Sequence, residues 1–310
     1  MPRPSDLFDR VANAPVVPPR LPLVVLLNGA GDAGSALATV TDFMREELDP
    51  QPVAVFRNDE LLDYRARRPL VTFDEDHVSE VRAARLELSL AHDALGQPFL
   101  LLAGYEPDYA WDAFVEAAIG LADEFDAVTV TRIHSIAMPV PHTRPLGSTV
   151  SGTRDELIRA HSIWKPRTQF PGSLGHVLEF RMSEDGFPTA GFSILVPHYL
   201  AETEFPGAAL AALDRIMTAT GLVFGLDGLR EENRVYLERI EDQIETNDEL
   251  RRMVANLEHR MDAWTAGGLG AGAGRFDGIA EGDLPSADEL AAELERFLAD
   301  RRDDEQGPQI

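Results

Sequence analysis

The sequence contains no cysteine, which excludes a disulfide, a thiolate nucleophile, an iron–sulfur cluster and a cysteine-based zinc site. It contains one lysine, Lys165, in the Pro-bounded stretch Ser162-Ile163-Trp164-Lys165-Pro166, with no Gly-rich approach. Schiff-base chemistry and a phosphate-loop lysine both need an ammonium at a set place, so most nucleotide-hydrolysing mechanisms are disfavoured. ATP-dependent carboxylate–amine ligases, which bind nucleotide through lysines, are set aside on the same ground. Positive charge is short overall: 28 basic against 53 acidic residues give a net charge of −25. Such a chain is repelled by phosphate backbones, so no nucleic-acid partner is expected. Long hydrophobic runs are missing too. Leu21–Leu27 falls far short of the roughly 20 residues of a spanning helix, and the N-terminus has no leader pattern. The expectation is a cytoplasmic protein without a membrane partner. The eight histidines form no His-x-x-x-His pair and no EF-hand pattern occurs, so no metal and no cofactor are expected.

What is present is globular: hydrophobic residues make up 44% of 310, enough for one large domain with appendages or for two. Residues 1–20 hold five prolines and read as an irregular arm. An α/β core is expected over 21–226. Leu23–Leu27 is a continuous apolar strand, and Ala36, Leu37, Val40, Phe43, Met44 and Leu48 mark a helix face. Further strands are expected at Pro52–Phe56, Leu86–Ala91, Pro98–Ala103 and Val128–Val140, the middle two as a hairpin. Helices are expected at Tyr109–Phe125 and about 207–220, and strands at His176–Met182 and Thr189–Pro197. This alternation predicts a mixed sheet. Residues 227–265 read as a helical extension, one long helix or a hairpin broken at Thr246-Asn247-Asp248. Its stripe (Leu237, Ile240, Ile244, Leu250, Met253, Leu257) suits packing on its own domain or on a sister subunit. Residues 266–310 read as a Gly/Ala linker, Gly267–Gly274, and an acidic tail with a short amphipathic helix within Pro285–Arg302.

Gly29-Ala30-Gly31-Asp32-Ala33-Gly34 matches the dinucleotide fingerprint between a strand and a helix. Asp32, however, puts a carboxylate where a phosphate would lie, and Arg57-Asn58-Asp59 offers no clear ribose acid. The alternative is a tight turn whose glycines take unusual dihedrals.

Four ordered motifs carry a resemblance. They are Asp32-Ala33-Gly34, Asp63-Tyr64-Arg65-Ala66-Arg67-Arg68-Pro69, Met138-Pro139-Val140-Pro141-His142-Thr143-Arg144-Pro145, and Val196-Pro197-His198-Tyr199-Leu200. Over about residues 20–265 the sequence resembles the actinobacterial branch of the proteasome assembly chaperone 2 family. The resemblance implies a three-layer αβα core of the phosphorylase/nucleosidase type, a helical C-terminal extension and a homotrimer, without an assigned reaction. Proteasome-docking chaperones commonly end in hydrophobic–Tyr–any residue. This sequence ends Pro308-Gln309-Ile310, so docking by that route is not expected.

Two uses of the motif residues stay open. Tyr64, Arg65, Arg67 and Arg68 suit either an anion pocket or ion pairs within and between subunits. Asn28, Gly29, Asp32, His142 and Arg144 suit a cleft for an anionic or nucleoside-like ligand, with His142 as acid and Arg144 as clamp. His198 reads as a buried, hydrogen-bonded histidine. Two functions follow: a non-enzymatic binding or assembly protein acting through its helical extension, or a small-molecule enzyme or sensor.

Overall fold

The apolar run Leu23–Leu27 is continuous because helices cover both faces of its strand. The computed structural model describes residues 3–29, 31–163, 167 and 169–268, the last five by their backbone. The strands are β1 (Phe8–Arg10), β2 (Pro22–Asn28), β3 (Gln51–Phe56), β4 (Leu70–Asp74) and β5 (His77–Arg82). They continue with β6 (Leu86–His92), β7 (Pro98–Tyr105), β8 (Thr129–Met138), β9 (Ser148–Gly152) and β10 (Thr189–Pro197). The helices are α1 (Ala36–Leu48), α2 (Asn58–Leu61), α3 (Trp111–Glu124) and α4 (Asp155–His161). After them come α5 (Leu174–Glu184), α6 (Pro206–Thr220), α7 (Asp227–Glu245) and α8 (Asp248–Gly268).

One eight-stranded sheet has the order β1-β3-β6-β7-β2-β8-β10-β9. Its centre, β7-β2-β8-β10, is parallel, and antiparallel strands complete both sides, so the sheet is mixed. Along β2, Val24 and Leu26 join the core beneath α1 and α6, while Leu23, Val25 and Leu27 join the core beneath α3 and α5. Period-two alternation thus feeds two apolar layers and gives the expected αβα sandwich.

Three expectations are corrected. Residues 8–10, within the arm read as irregular, form β1 and pair antiparallel with Ala54–Phe56, with Leu7 fully buried beside them. Residues 176–182, read as a strand, belong to helix α5. Ser173 and His176 form a reciprocal capping box at its start, and Leu174, Leu178 and Met182 recur every fourth residue on its buried side. Helix α8 runs to Gly268, two residues into the stretch read as linker. The rest of that linker, the tail, Lys165 and the final Pro308-Gln309-Ile310 lie outside the described residues.

The extension is a helical pair. It breaks at Thr246-Asn247, where the Asn247 Oδ1 accepts the amides of Glu249 and Leu250 at 3.0 and 3.2 Å. Leu229 is buried, and Tyr236, Leu237 and Ile240 pack on the core beneath α1 and α6, so the α7 half of the stripe rests on its own domain. The chain divides into a unit Met1–Asp262 and a second unit Ala263–Ile310, of which the described part is the C-terminal end of α8.

Candidate functional site

The carboxyl ends of parallel strands are where an open α/β sheet leaves room for a ligand, above all where successive helices leave on opposite faces. Here α1 follows β2 onto one face and α3 follows β7 onto the other. Between those strand ends lies a narrow cleft of about 10 Å³ lined by Leu27, Gly29, Asp32, Leu37, Glu106, His134 and Ser173. That is room for about one water molecule, far below the roughly 300–1,000 Å³ of usual small-molecule sites.

Its two carboxylates are committed to helix ends. Asp32 accepts the amides of Leu37 and Ala38 at 2.8 and 3.0 Å, and the Ser135 hydroxyl at 2.9 Å. It therefore occupies the first turn of α1, the place a pyrophosphate would take. Gly31 and Gly34 have φ of 85° and 68°, as the tight-turn reading requires. Glu106, which the sequence reading missed, accepts the Leu174 amide at the start of α5. Its other oxygen fills the space that a Cβ on Gly29 would need. The Asn28 backbone oxygen accepts the Glu106 amide at 2.7 Å, while the Asn28 Oδ1 is buried without a partner among the described residues.

A polar seam continues from this cleft between β8 and α5. His134 meets His176 edge to face, with ring centroids 5.1 Å apart, and the Ser173 hydroxyl lies 2.7 Å from the His176 Nδ1. Burial, then the Arg132 charge, then His176 push the His134 imidazole down to about 3; burial and Arg132 push His176 down to about 4. Both rings are neutral at pH 7. Deeper still, the Arg132 Nε donates to Glu179 at 2.8 Å, with side-chain exposures of 4% and 9%. No local motif announces this seam, because its members come from the end of β7, alternate residues of β8 and one face of α5.

Of the residues expected in a cleft, Gly29 and Asp32 line this one, while Asn28, His142 and Arg144 do not. His142 is buried: its amide donates to the Tyr199 hydroxyl at 2.9 Å, and its Nδ1 lies 2.6 Å from the same oxygen. Burial lowers its pKa against the opposing pull of Glu241 and Glu258. The buried histidine of the third and fourth motifs is thus His142; His198, read as buried, is exposed, with its ring against Tyr199. Arg144 grips α8, donating to Asp262 through Nε and Nη2 at 2.8 Å each and reaching Glu258 at 3.3 Å, while the Thr143 hydroxyl also bonds Glu258. The guanidinium read as an anion clamp is therefore spent on the extension. Replacing Arg144 by alanine is expected to speed amide hydrogen exchange around Glu258–Asp262 while leaving β2 and β8 protected; unchanged exchange in α8 would refute this latch.

The second motif forms ion pairs inside the chain. Arg67 meets Asp108 at 3.2 Å and donates to the Glu106 carbonyl, and the Tyr64 hydroxyl donates to Asp59 at 2.8 Å. Among the described residues Arg65 reaches only Asp63, at 3.8 Å, with its side chain 89% exposed. Arg68 is exposed and has no ion-pair partner among the described residues. Among those residues no group of three His, Asp or Glu could hold a metal, and no helix is long and apolar enough to cross a membrane.

Similarity to known proteins follows the same outline. A Mycobacterium tuberculosis protein of unknown function, Rv2714, is 36% identical; the match covers 84% of this chain and 93% of that one, with a TM-score of 0.78. A Corynebacterium glutamicum protein of unknown function is 30% identical over 84% of this chain and 98% of its own, with a TM-score of 0.80. The M. tuberculosis proteasome-assembly chaperone homologue Rv2125 shares the fold at 21% identity and a TM-score of 0.68, over 76% of this chain and all of its own. No curated protein matches the sequence. The model of the PAC2 family matches residues 26–244, from the strand that opens the parallel core to the end of α7, and the chain belongs to that family.

Proposed function

We propose that this chain is a non-enzymatic, cytoplasmic, chaperone-like binding or assembly protein that works as a homotrimer and meets a protein partner through its helical extension. One observation carries the reading: the side chains best suited to chemistry are occupied in holding helices. Asp32 and Glu106 close the starts of α1 and α5, and Arg144 ties α8 to the core. Recognition then falls to the surface, where a charge of −25 selects against acidic partners. The fold shared with a proteasome-assembly chaperone homologue makes proteasome subunits the first partners to try. Mixing the purified full chain with such subunits is expected to give a co-eluting complex. Light scattering on the chain alone is expected to give three times the protomer mass. A strict monomer at micromolar concentration that captures no subunit would overturn the proposal.

A second reading, a small-molecule enzyme or sensor, is favoured only by the buried Asn28 Oδ1, which has no partner among the described residues and adjoins the cleft-lining Gly29 in sequence. Thermal-shift measurements against nucleosides, nucleotides and phosphate separate the two. The first reading expects no shift; a shift abolished by Asn28→Ala would favour the second.

A further inference from the structure

The two helices of the extension are held by different physics. On α7, Leu229 is buried and Tyr236, Leu237 and Ile240 pack on the core. The Tyr236 ring stacks on Phe205 with centroids 5.4 Å apart, and its hydroxyl lies 2.7 Å from the Thr203 hydroxyl. That helix is part of the domain. On α8, Leu250, Val254, Leu257 and Met261 recur along one side, and Val254 and Leu257 are buried. Both lie outside the two apolar layers that the described residues of the sandwich form. Beside this stripe Glu258 and Asp262, four residues apart, meet Thr143 and Arg144 of the loop 139–145. Those contacts are open to water, with the Arg144 side chain 35% and the Asp262 side chain 56% exposed. Exposed ion pairs hold weakly and are screened by salt.

Neither the hinge nor the loop needs α8 in place. Asn247 closes the start of α8, and the Thr246 hydroxyl bonds the Asp242 and Gln243 carbonyls at the end of α7. Both helix ends at the hinge are thus satisfied from within the extension. The loop is held from its other side: Pro139, Pro141 and Pro145 fix its backbone, and the His142 amide and Nδ1 both meet the Tyr199 hydroxyl. We infer that the 139–145 loop is a receptor for an amphipathic helix bearing two carboxylates four residues apart. Helix α8 fills it as an internal ligand, and a partner's helix of the same pattern displaces α8. This deepens the partner contact through the extension proposed above and rests on it. Charge complementarity selects the occupant. Arg144 offers a planar fork to one carboxylate and a further N–H to a second, one helical turn away. An apolar or basic helix would leave that guanidinium unpaired. The demand is local, since residues 247–262 carry four acidic side chains and three arginines. A helix of this pattern therefore meets the acidic chain with little net charge.

A fluorescently labelled synthetic peptide of residues 247–262 is the probe, read by polarisation against the full chain. In the native chain α8 competes with it as a tethered ligand of high effective concentration. The variant Leu257→Ser, Glu258→Gln, Asp262→Asn weakens that internal ligand and leaves the loop intact. The peptide is expected to bind this variant about tenfold more tightly than the native chain, or better. Adding Arg144→Ala to the variant, or Glu258→Gln and Asp262→Asn to the peptide, is expected to remove the gain. Equal binding to native and variant chains, binding to neither, or binding indifferent to Arg144 would overturn the inference. Hydrogen exchange on the unaltered chain supplies a measure that requires no variant to fold. Amides of residues 254–262 are expected to exchange about tenfold faster than those of residues 229–240, and faster still with excess peptide. Equal protection of the two helices overturns the inference as well. If the peptide fails while the full chain captures proteasome subunits, the receptor falls and the proposed function stands. If the peptide binds as expected and no subunit is captured, that partner is excluded and the receptor stands.

Discussion

Replacing Glu179 by alanine is expected to destabilise the protein by about 3–5 kcal/mol, because it leaves the Arg132 guanidinium charged, buried and without its counter-ion. For a domain of this size that corresponds to a fall in melting temperature of roughly 10 °C. Arg132→Ala is expected to do the same from the other side of the pair. The geometry makes relief difficult. The pair fills the space above Gly191, where a Cβ would fall 1.8 Å from the Glu179 Oε2 and 2.6 Å from the Arg132 Nη2. The pair is also imperfect, since the Arg132 Nη2 has no hydrogen-bond partner among the described residues. An ion pair with an unsatisfied donor recovers little beyond its own desolvation cost. The double replacement Arg132→Met, Glu179→Leu is therefore expected to regain most of the loss, which urea unfolding would measure. A single variant within about 1 kcal/mol of the native protein, a typical worth for an exposed pair, would show that water reaches the charges.

The same seam explains why part of the fold was hidden in the sequence. Strand β2 was legible because both its faces are apolar, and the break between α7 and α8 because Asn247 is a good cap. Helix α5 was not, since the side it turns to β8 carries His176 and Glu179 among Leu174, Leu178 and Met182. Polar residues on a buried side erase the contrast on which a helical period depends. In the β4–β5 hairpin a bulge does the erasing, because Val78 and Val81 fall out of period two. At the candidate site, Gly29 and Asp32 were legible as one local turn. Glu106, His134 and His176 meet only through the topology of three distant elements. His142 and Arg144 stand two apart in one motif, but their partners, Tyr199 and Asp262, lie in distant elements that no local pattern announces.

Acid is expected to weaken the fold well above the range in which carboxylates titrate. In the unfolded chain His134 and His176 take up protons near pH 6.5; in the fold they do so only near 3 and 4. Between those limits the unfolded state binds more protons, so stability falls as pH falls. Above about pH 6.5 neither state is protonated and the contribution is flat. At pH 5 both folded imidazoles are still neutral, and the loss depends only on the distance from the unfolded value. That distance is about 1.5 pH units, or roughly 2 kcal/mol for each histidine. His142, lowered by burial, acts in the same direction. The two seam histidines alone are thus expected to remove about 4 kcal/mol between pH 7 and pH 5, a large share of a typical 5–15 kcal/mol total. His134→Asn is expected to flatten the dependence by about 1.4 kcal/mol per pH unit between pH 6 and 4.5, whatever it costs at pH 7. Urea unfolding of both proteins across this range decides it. Parallel curves would mean that the His134 ring is already charged in the fold, and that β8 and α5 are held together by something other than a neutral polar seam.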